Sequence, residues 1–255
     1  MLETIRHDAI VELRLARPPV NAFDATLSRE LRLAIEAAAS DARGIVISGR
    51  PGMFSAGLDV AAVLQLDQAG RLGELWGEYS GLCRTIAASP IPVIAAITGH
   101  APAGGAVLAT FCDYRVMAKS SDPAKPFRIG LNETQVGLIV PPEIQTGLRR
   151  LVGVYRAERL MVAGAMLDSD EALRVGFVDE LAAAEDVVTR ALAWLRALLA
   201  LPARAMSGTR AIARADLVTA FDAARAPNAE DFVRGWFGDE SRATLMAVMA
   251  KLKKS

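Results

Sequence analysis

Two glycine-containing turns have the composition of a site that binds a negatively charged oxygen. The first is Gly49-Arg-Pro-Gly-Met-Phe-Ser-Ala-Gly-Leu-Asp59, where Ser55, Ala56 and Gly57 fall together just past an apolar run. Small side chains there let a ligand approach the main chain, so that N–H groups can act as donors; the same residues also suit a plain strand-to-helix turn. The second is Ile97-Thr-Gly-His-Ala-Pro-Ala-Gly-Gly-Ala-Val-Leu-Ala109, where Gly104-Gly105 opens an apolar helical run. First-turn N–H groups of such a helix are unpaired and lie at its positive end, while close helix–sheet packing is the other use of such glycines. Neither GxxxxGK[ST] nor GxGxxG occurs, so these are not phosphate loops. Taken together, donors at Ala56 and Gly104, each past the end of a buried strand, are the ingredients of an oxyanion hole.

Such a site needs a proton carrier. Glu133 lies in Ile129-Gly-Leu-Asn-Glu-Thr-Gln-Val-Gly-Leu-Ile-Val140, an apolar stretch punctuated by glycine. Apolar surroundings raise a carboxyl pKa toward neutrality, which suits proton shuttling; a solvated loop glutamate is the plainer reading. Asp59 is better placed to cap the following helix than to react. Glu143, after Pro142, reads as a first-turn acid favoured by the helix dipole. His100 reads as structural or solvated rather than as a base. With two cysteines and two histidines, neither a disulfide framework nor a structural metal site is expected.

The elements that must position these residues are legible from periodicity. Ala9–Leu15 alternates as a half-buried strand, and Pro18-Pro19 ends it. Asp24 caps an expected helix with Leu27, Leu31 and Ile35 at helical spacing. Gly44–Ser48, Pro92–Ile97 and Asp113–Ala118 are continuously apolar strands, as in a parallel sheet buried on both faces. Helical patterns at Leu82–Ala88 and Gly105–Thr110 lie between them, giving βαβ order. After Pro142 helices dominate: Glu143–Leu151, Arg156–Ala163, Ser169–Val175 stopped by Gly176, Glu185–Ala200, Pro202–Ala224 and Ala229–Lys253.

Composition narrows the function. The 255 residues are 52% hydrophobic and 23% charged, which is globular rather than disordered. Lys+Arg and Asp+Glu are both 29 and aromatics make up only 5%, which argues against a nucleic-acid partner. No apolar run is long enough for a membrane span. The opening MLETIRHDAIVEL has neither signal-peptide nor transit character, so the expected location is the cytoplasm.

The set of motifs resembles the crotonase superfamily, the enoyl-CoA hydratase/isomerase fold. Phe54-Ser-Ala-Gly-Leu-Asp59, Gly99-His-Ala-Pro-Ala-Gly-Gly105 and Cys112-Asp-Tyr-Arg115 carry the resemblance, which runs from Arg17-Pro-Pro-Val-Asn-Ala22 to the C-terminal helices. It implies an α/β fold, a crotonase-like ββα spiral core over residues 1–200 and a helical C-terminal trimerisation region over 201–255. Ile129-Gly-Leu-Asn-Glu-Thr-Gln135 is most similar to the monofunctional Δ3,Δ2-enoyl-CoA isomerases. On that match Glu133 is the base and Asn132 a substrate contact. Ala56 and Gly104 would hold the thioester oxygen, and Ala56, Gly57, Leu58, Asp59 and Val60 would lie along bound CoA. CoA belongs to the substrate, so no separate cofactor is expected; a homotrimer or hexamer is.

Hydratases of the superfamily carry a second glutamate where this chain has Val107. Water addition needs one group to activate water and another to supply a proton to carbon. A double-bond shift needs one base that takes a proton from C2 and returns it to C4. Val107 therefore favours isomerisation. The competing readings are a hydratase, another enolate-forming acyl-CoA enzyme, or a non-catalytic CoA-ester binder. Arg17, Lys251, Lys253 and Lys254 are candidate phosphate contacts. Phe232, Trp236, Phe237, Leu245, Met246 and Met249 read mainly as core or subunit contacts, with contact to the acyl-CoA as the alternative. Two departures from the family pattern, Ser120–Pro126 and Pro141-Pro142, bear on the acyl pocket and chain length.

Overall fold

The computed structural model describes residues 1–65, 69–221 and 234–252. A six-stranded sheet forms the frame. Strands β1 (Leu2–His7) and β2 (Ile10–Leu15) make an antiparallel hairpin; β3 (Gly44–Ser48), β5 (Val93–Ile97), β7 (Tyr114–Lys119) and β10 (Glu180–Ala183) follow in parallel. The continuously apolar strands are buried on both faces, and their alternation sorts the side chains. Ile45, Ile47, Ala95, Ile97 and Met117 point into the main core beneath α1 (Ala25–Asp41) and α3 (Ala69–Ala88). Val46, Ile94, Ala96, Val116 and Ala118 face α8 (Val187–Leu199).

A second, smaller sheet places the site. It comprises β4 (Gly52–Met53), β6 (Gly99–Pro102), β8 (Arg128–Gly130) and β9 (Leu167–Asp168). The chain leaves β3 for β4 and leaves β5 for β6, and Gly52 pairs with Gly99 in parallel register. A Cβ on Gly99 would fall 2.0 Å from the Gly52 carbonyl carbon, so this crossing requires glycine. The Gly99–Pro102 stretch is thus a strand rather than the expected turn. Its β-pairing is non-local and left no periodicity in so short a segment.

Other elements match expectation to within a few residues. Asp24 caps α1, its side chain accepting from the Leu27 amide. Helix α7 spans Ser169–Val175, and Gly176 closes it at φ 83°. Helices α2 (Val60–Leu64), α4 (Gly104–Thr110), α5 (Pro142–Val152) and α6 (Val154–Val162) complete the core region. The expected helix Pro202–Ala224 is interrupted at Arg214, between α9 (Ala203–Ala213) and α10 (Ala215–Thr219). Arg214 turns inward there, its guanidinium donating to the Phe111 carbonyl at 2.5 Å and pairing with Asp113 at 3.2 Å. The region after Pro142 also holds two strands, β9 and β10, that its composition did not reveal. Of the expected helix Ala229–Lys253, residues 234–237 and α11 (Asp239–Leu252) are helical; Phe232, Lys253 and Lys254 lie outside the described residues. Among the described residues, no helix is long and apolar enough to cross a membrane.

Candidate active site

The two glycine turns follow β4 and β6 directly and meet backbone to backbone. A Cβ on Gly57, which sits at φ 86°, would lie 2.7 Å from the Gly104 nitrogen; one on Gly104 would lie 2.9 Å from the Gly57 Cα. Both positions therefore require glycine. Gly105 is equally restricted, with the Ser55 carbonyl oxygen 2.3 Å from its would-be Cβ. Ala103, just before α4, is held at φ 44°, a strained conformation for a residue with a Cβ. Its amide donates to the Gly130 carbonyl at 2.9 Å, which fixes the entry to Gly104.

The first turn is buttressed from a distant segment. Asn21 is buried at φ 52°; its Nδ2 donates to the Phe54 carbonyl at 3.0 Å and its Oδ1 accepts from the Arg17 amide. The Ser55 hydroxyl donates to the Asn21 carbonyl at 2.7 Å and accepts from the Gly57 amide at 3.1 Å. These bonds correct the sequence assignment of Ala56 as a donor. The Ala56 amide is bonded to the Val20 carbonyl at 3.0 Å, and the Asp59 amide to the Phe23 carbonyl at 2.9 Å. Of the four consecutive amides 56 to 59, only that of Leu58 has no acceptor among the described residues. Small residues marked the turn, but which amide stays free depends on partners more than thirty residues away in the chain.

Glu133 opens a 3-10 turn, Glu133–Val136, that Gly137 closes at φ 77°. Strand β8 pairs Ala101 with Ile129 and Pro102 with Gly130, so Asn132 and Glu133 leave the small sheet beside Ala103 and Gly104. The residue is half-buried, but its Oε2 is closed to solvent and has no hydrogen-bond partner, and the same holds for Asn132 Oδ1. Burial pushes the Glu133 pKa up to about 7, against a small opposing effect of its own amide. Thr134 Oγ1 donates to the Met161 carbonyl at 3.0 Å on one side of the turn. Ser241 of α11 donates to the Gly137 carbonyl at 2.6 Å on the other, and its Cα would lie 2.9 Å from a Cβ on Gly137. Sequence reasoning placed Asn21 and Ser55 inside motifs without giving either a supporting role, and it missed Ser241 altogether.

The remaining candidates sort as follows. Val107 is 1% exposed on α4, an apolar residue where a second carboxylate is conceivable. Asp59 caps α2 through the Ala62 amide and pairs with Arg17 at 2.8 Å. Arg17 also pairs with Asp24 and donates to the Ala22 carbonyl, so it clamps the turn rather than standing free for a phosphate. His100 Nδ1 accepts from the Arg128 amide at 3.2 Å and its ring meets Phe127 edge-on, a structural role. Burial, with the Arg128 charge, lowers its pKa. Glu143 lies in the first turn of α5 as expected, but it is buried there: it is 2% exposed and its Oε2 has no partner. Residues 120–126 form an exposed turn tied by Asp122 to Ala124 and Ser120. Trp236 and Leu245 pack with Val63, Leu72, Leu75 and Leu138 in an apolar cluster flanked by Leu58 and Val60, whereas Met246 is exposed.

Comparison with known proteins agrees with this geometry. Residues 6–253 match the family model described as enoyl-CoA hydratase/isomerase. The chain is 32% identical over 248 residues to human "Enoyl-CoA delta isomerase 1, mitochondrial", covering 96% of this chain and 80% of that protein. It is 34% identical over 206 residues to a probable enoyl-CoA hydratase of Mycobacterium tuberculosis, covering 78% and 74%. The crystal structure of human mitochondrial delta3-delta2-enoyl-CoA isomerase superposes with a TM-score of 0.91 at 29% identity, covering 99% of this chain and 98% of that one. On the touching glycine turns, the isolated glutamate beside them and this near-complete match, the chain belongs to the enoyl-CoA hydratase/isomerase family.

Proposed function

We propose that this protein is a Δ3,Δ2-enoyl-CoA isomerase. The amides of Leu58 and Gly104 hold the thioester oxygen, with Ala56–Val60 and Asn132 along the substrate. Glu133 removes a proton from C2; the C3–C4 π electrons move to C2–C3 through a dienolate, and the same carboxyl returns the proton to C4. No proton or electron leaves the pair, so the chemistry requires no redox partner. One observation carries this reading: Glu133, where the chain leaves the small sheet beside the touching turns, has a buried Oε2 without a partner, and burial poises the carboxyl near neutral pH, where a base works best. Val107 leaves no second acid on α4 to manage water, which favours isomerisation over hydration. Assembly into a homotrimer or hexamer is part of the proposal, and exposed Val154, Tyr155 and Val162 on α6 offer apolar surface to a second copy.

The test is a paired assay on one preparation. A 3-enoyl-CoA should yield the conjugated 2-enoyl thioester, read as rising ultraviolet absorbance, and Glu133→Gln should lower kcat by about 10³-fold, within the usual range for a general base. Undiminished turnover in that variant removes Glu133 as the base. Hydration of a 2-enoyl-CoA as fast as isomerisation removes the isomerase assignment.

A further inference from the structure

We propose that Tyr79 is a positioning residue of the oxyanion site, holding the two donor turns at a fixed separation. The inference rests on the isomerase reading above and names a residue outside the family motifs. Tyr79 lies on α3, 1% exposed, and its hydroxyl donates to the Gly104 carbonyl. A Cβ on Gly104 would meet that hydroxyl at 3.1 Å, so the tyrosine sets how far the second turn can move. Its ring packs on Phe23, with centroids 5.3 Å apart at 59°. Phe23 in turn brackets the first turn, its amide donating to the Gly57 carbonyl at 2.7 Å and its carbonyl accepting from the Asp59 amide at 2.9 Å. One side chain thus reaches Gly104 through its hydroxyl and Gly57–Asp59 through its ring.

The consequence is kinetic. A donor pair stabilises the developing enolate only if it does not recoil as charge builds on the oxygen. The Tyr79 hydroxyl thus donates to the first carbonyl of α4, close to the Leu108 amide and the Cys83 thiol. Burial raises the hydroxyl's pKa well above the ordinary value, so it remains a donor throughout the working range. The nearby Glu133 charge adds to that rise.

Tyr79→Phe keeps the ring and removes only the hydroxyl. The expected result is a roughly tenfold loss of kcat with KM within about twofold and an unchanged melting temperature. A second readout needs no turnover. Acetoacetyl-CoA, whose enolate absorbs in the ultraviolet, should show about tenfold less enolate when bound to the variant than to the wild type at the same pH. Phe23→Leu, which cuts the ring contact but leaves the hydroxyl, should show a smaller loss of the same kind. Tyr79→Phe with wild-type kcat and enolate fraction overturns the proposal. So does a variant in which kcat and melting temperature fall while KM rises, since that is general loosening. If the wild type binds acetoacetyl-CoA as enolate but isomerises no 3-enoyl-CoA, the isomerase reading fails while the positioning role is still measured.

Discussion

Glu12 and Glu133 are both glutamates with carboxyl oxygens withdrawn from water, and the fold treats them in opposite ways. Glu12, on β2, is 1% exposed, yet it accepts from Ser48 Oγ at 2.7 Å and Arg14 Nε at 3.0 Å, with His7 Nε2 at 2.9 Å. Burial pushes its pKa up, but these bonds together outweigh burial and leave it below the ordinary 4.5. Glu133 has no such donors, and burial carries it to about 7. The difference is one of partners rather than depth. A carboxylate becomes a base for neutral pH where the surrounding elements withhold hydrogen bonds, and a structural anion where they supply them.

The largest expected effect separates the two in pH. Glu133 must be ionised to accept a proton, so kcat/KM should rise with pH up to about 7 and be about 100-fold lower at pH 5. Stability runs the other way for this residue: its raised folded pKa contributes fully below about 4.5 and is lost as pH rises through about 7. The Glu12 contribution is present above about 4.5 and disappears only as pH falls through its lowered folded value. Between pH 5 and 7 the protein should therefore be folded but slow. Rate profiles and urea midpoints at matched pH check this, and full activity at pH 5 breaks the comparison.

Removing the partnered anion should have an intermediate effect. Glu12→Gln leaves His7, Arg14 and Ser48 without their buried acceptor charge, and should cost about 2 kcal/mol at pH 7. Its loss should shrink toward pH 4, where the wild-type carboxylate begins to lose its advantage. The activity limb near 7 should stay where it is, because none of the Glu12 partners touches the Glu133 turn. A limb that moves in this variant would mean that the two carboxylates communicate across the sheet.

The frame was more legible in the sequence than the site was. Strands Gly44–Ser48 and Val93–Ile97 announce themselves by unbroken apolar runs, and the end of helix Ser169–Val175 by Gly176. These are local signals. The small sheet has strands of two to four residues whose only reason to exist is a partner far away in the chain, as Gly52 opposite Gly99 shows. Glu133 could be singled out by type and surroundings, but the free amide could not. Leu58 rather than Ala56 is left open because Val20 and Phe23 happen to sit opposite the neighbouring amides. Strain at Ala103 is equally invisible, since alanine is not the residue that a positive φ favours.

Glu143 is the third case and the finest test. By sequence it is a helix-start acid in the first turn of α5, where the dipole favours negative charge. In the fold it shares a helix face with Gly147, where a Cβ would lie 2.7 Å from the Thr110 methyl and 3.1 Å from the Phe111 ring, and its Oε2 is left without a partner. Its pKa is raised by burial, offset in part by its own amide, and its charge helps to push the Cys83 thiol up. Like Glu133 it lacks side-chain donors; unlike Glu133 it has no substrate carbon to serve in the proposed mechanism. Such a carboxyl costs stability as it ionises: its contribution is complete below about 4.5 and is lost as pH rises through its raised folded value. Glu143→Gln keeps the acceptor for its own main-chain N–H and removes the charge. The variant should gain about 1 kcal/mol at pH 8 and nothing at pH 4, with turnover of a 3-enoyl-CoA within about twofold of wild type. Urea unfolding at the two pH values reads the first part and the enoyl-CoA assay the second. Turnover that collapses would place Glu143 in the proton path, and burial without partners would then mark catalytic carboxyls on both α5 and the Glu133 turn.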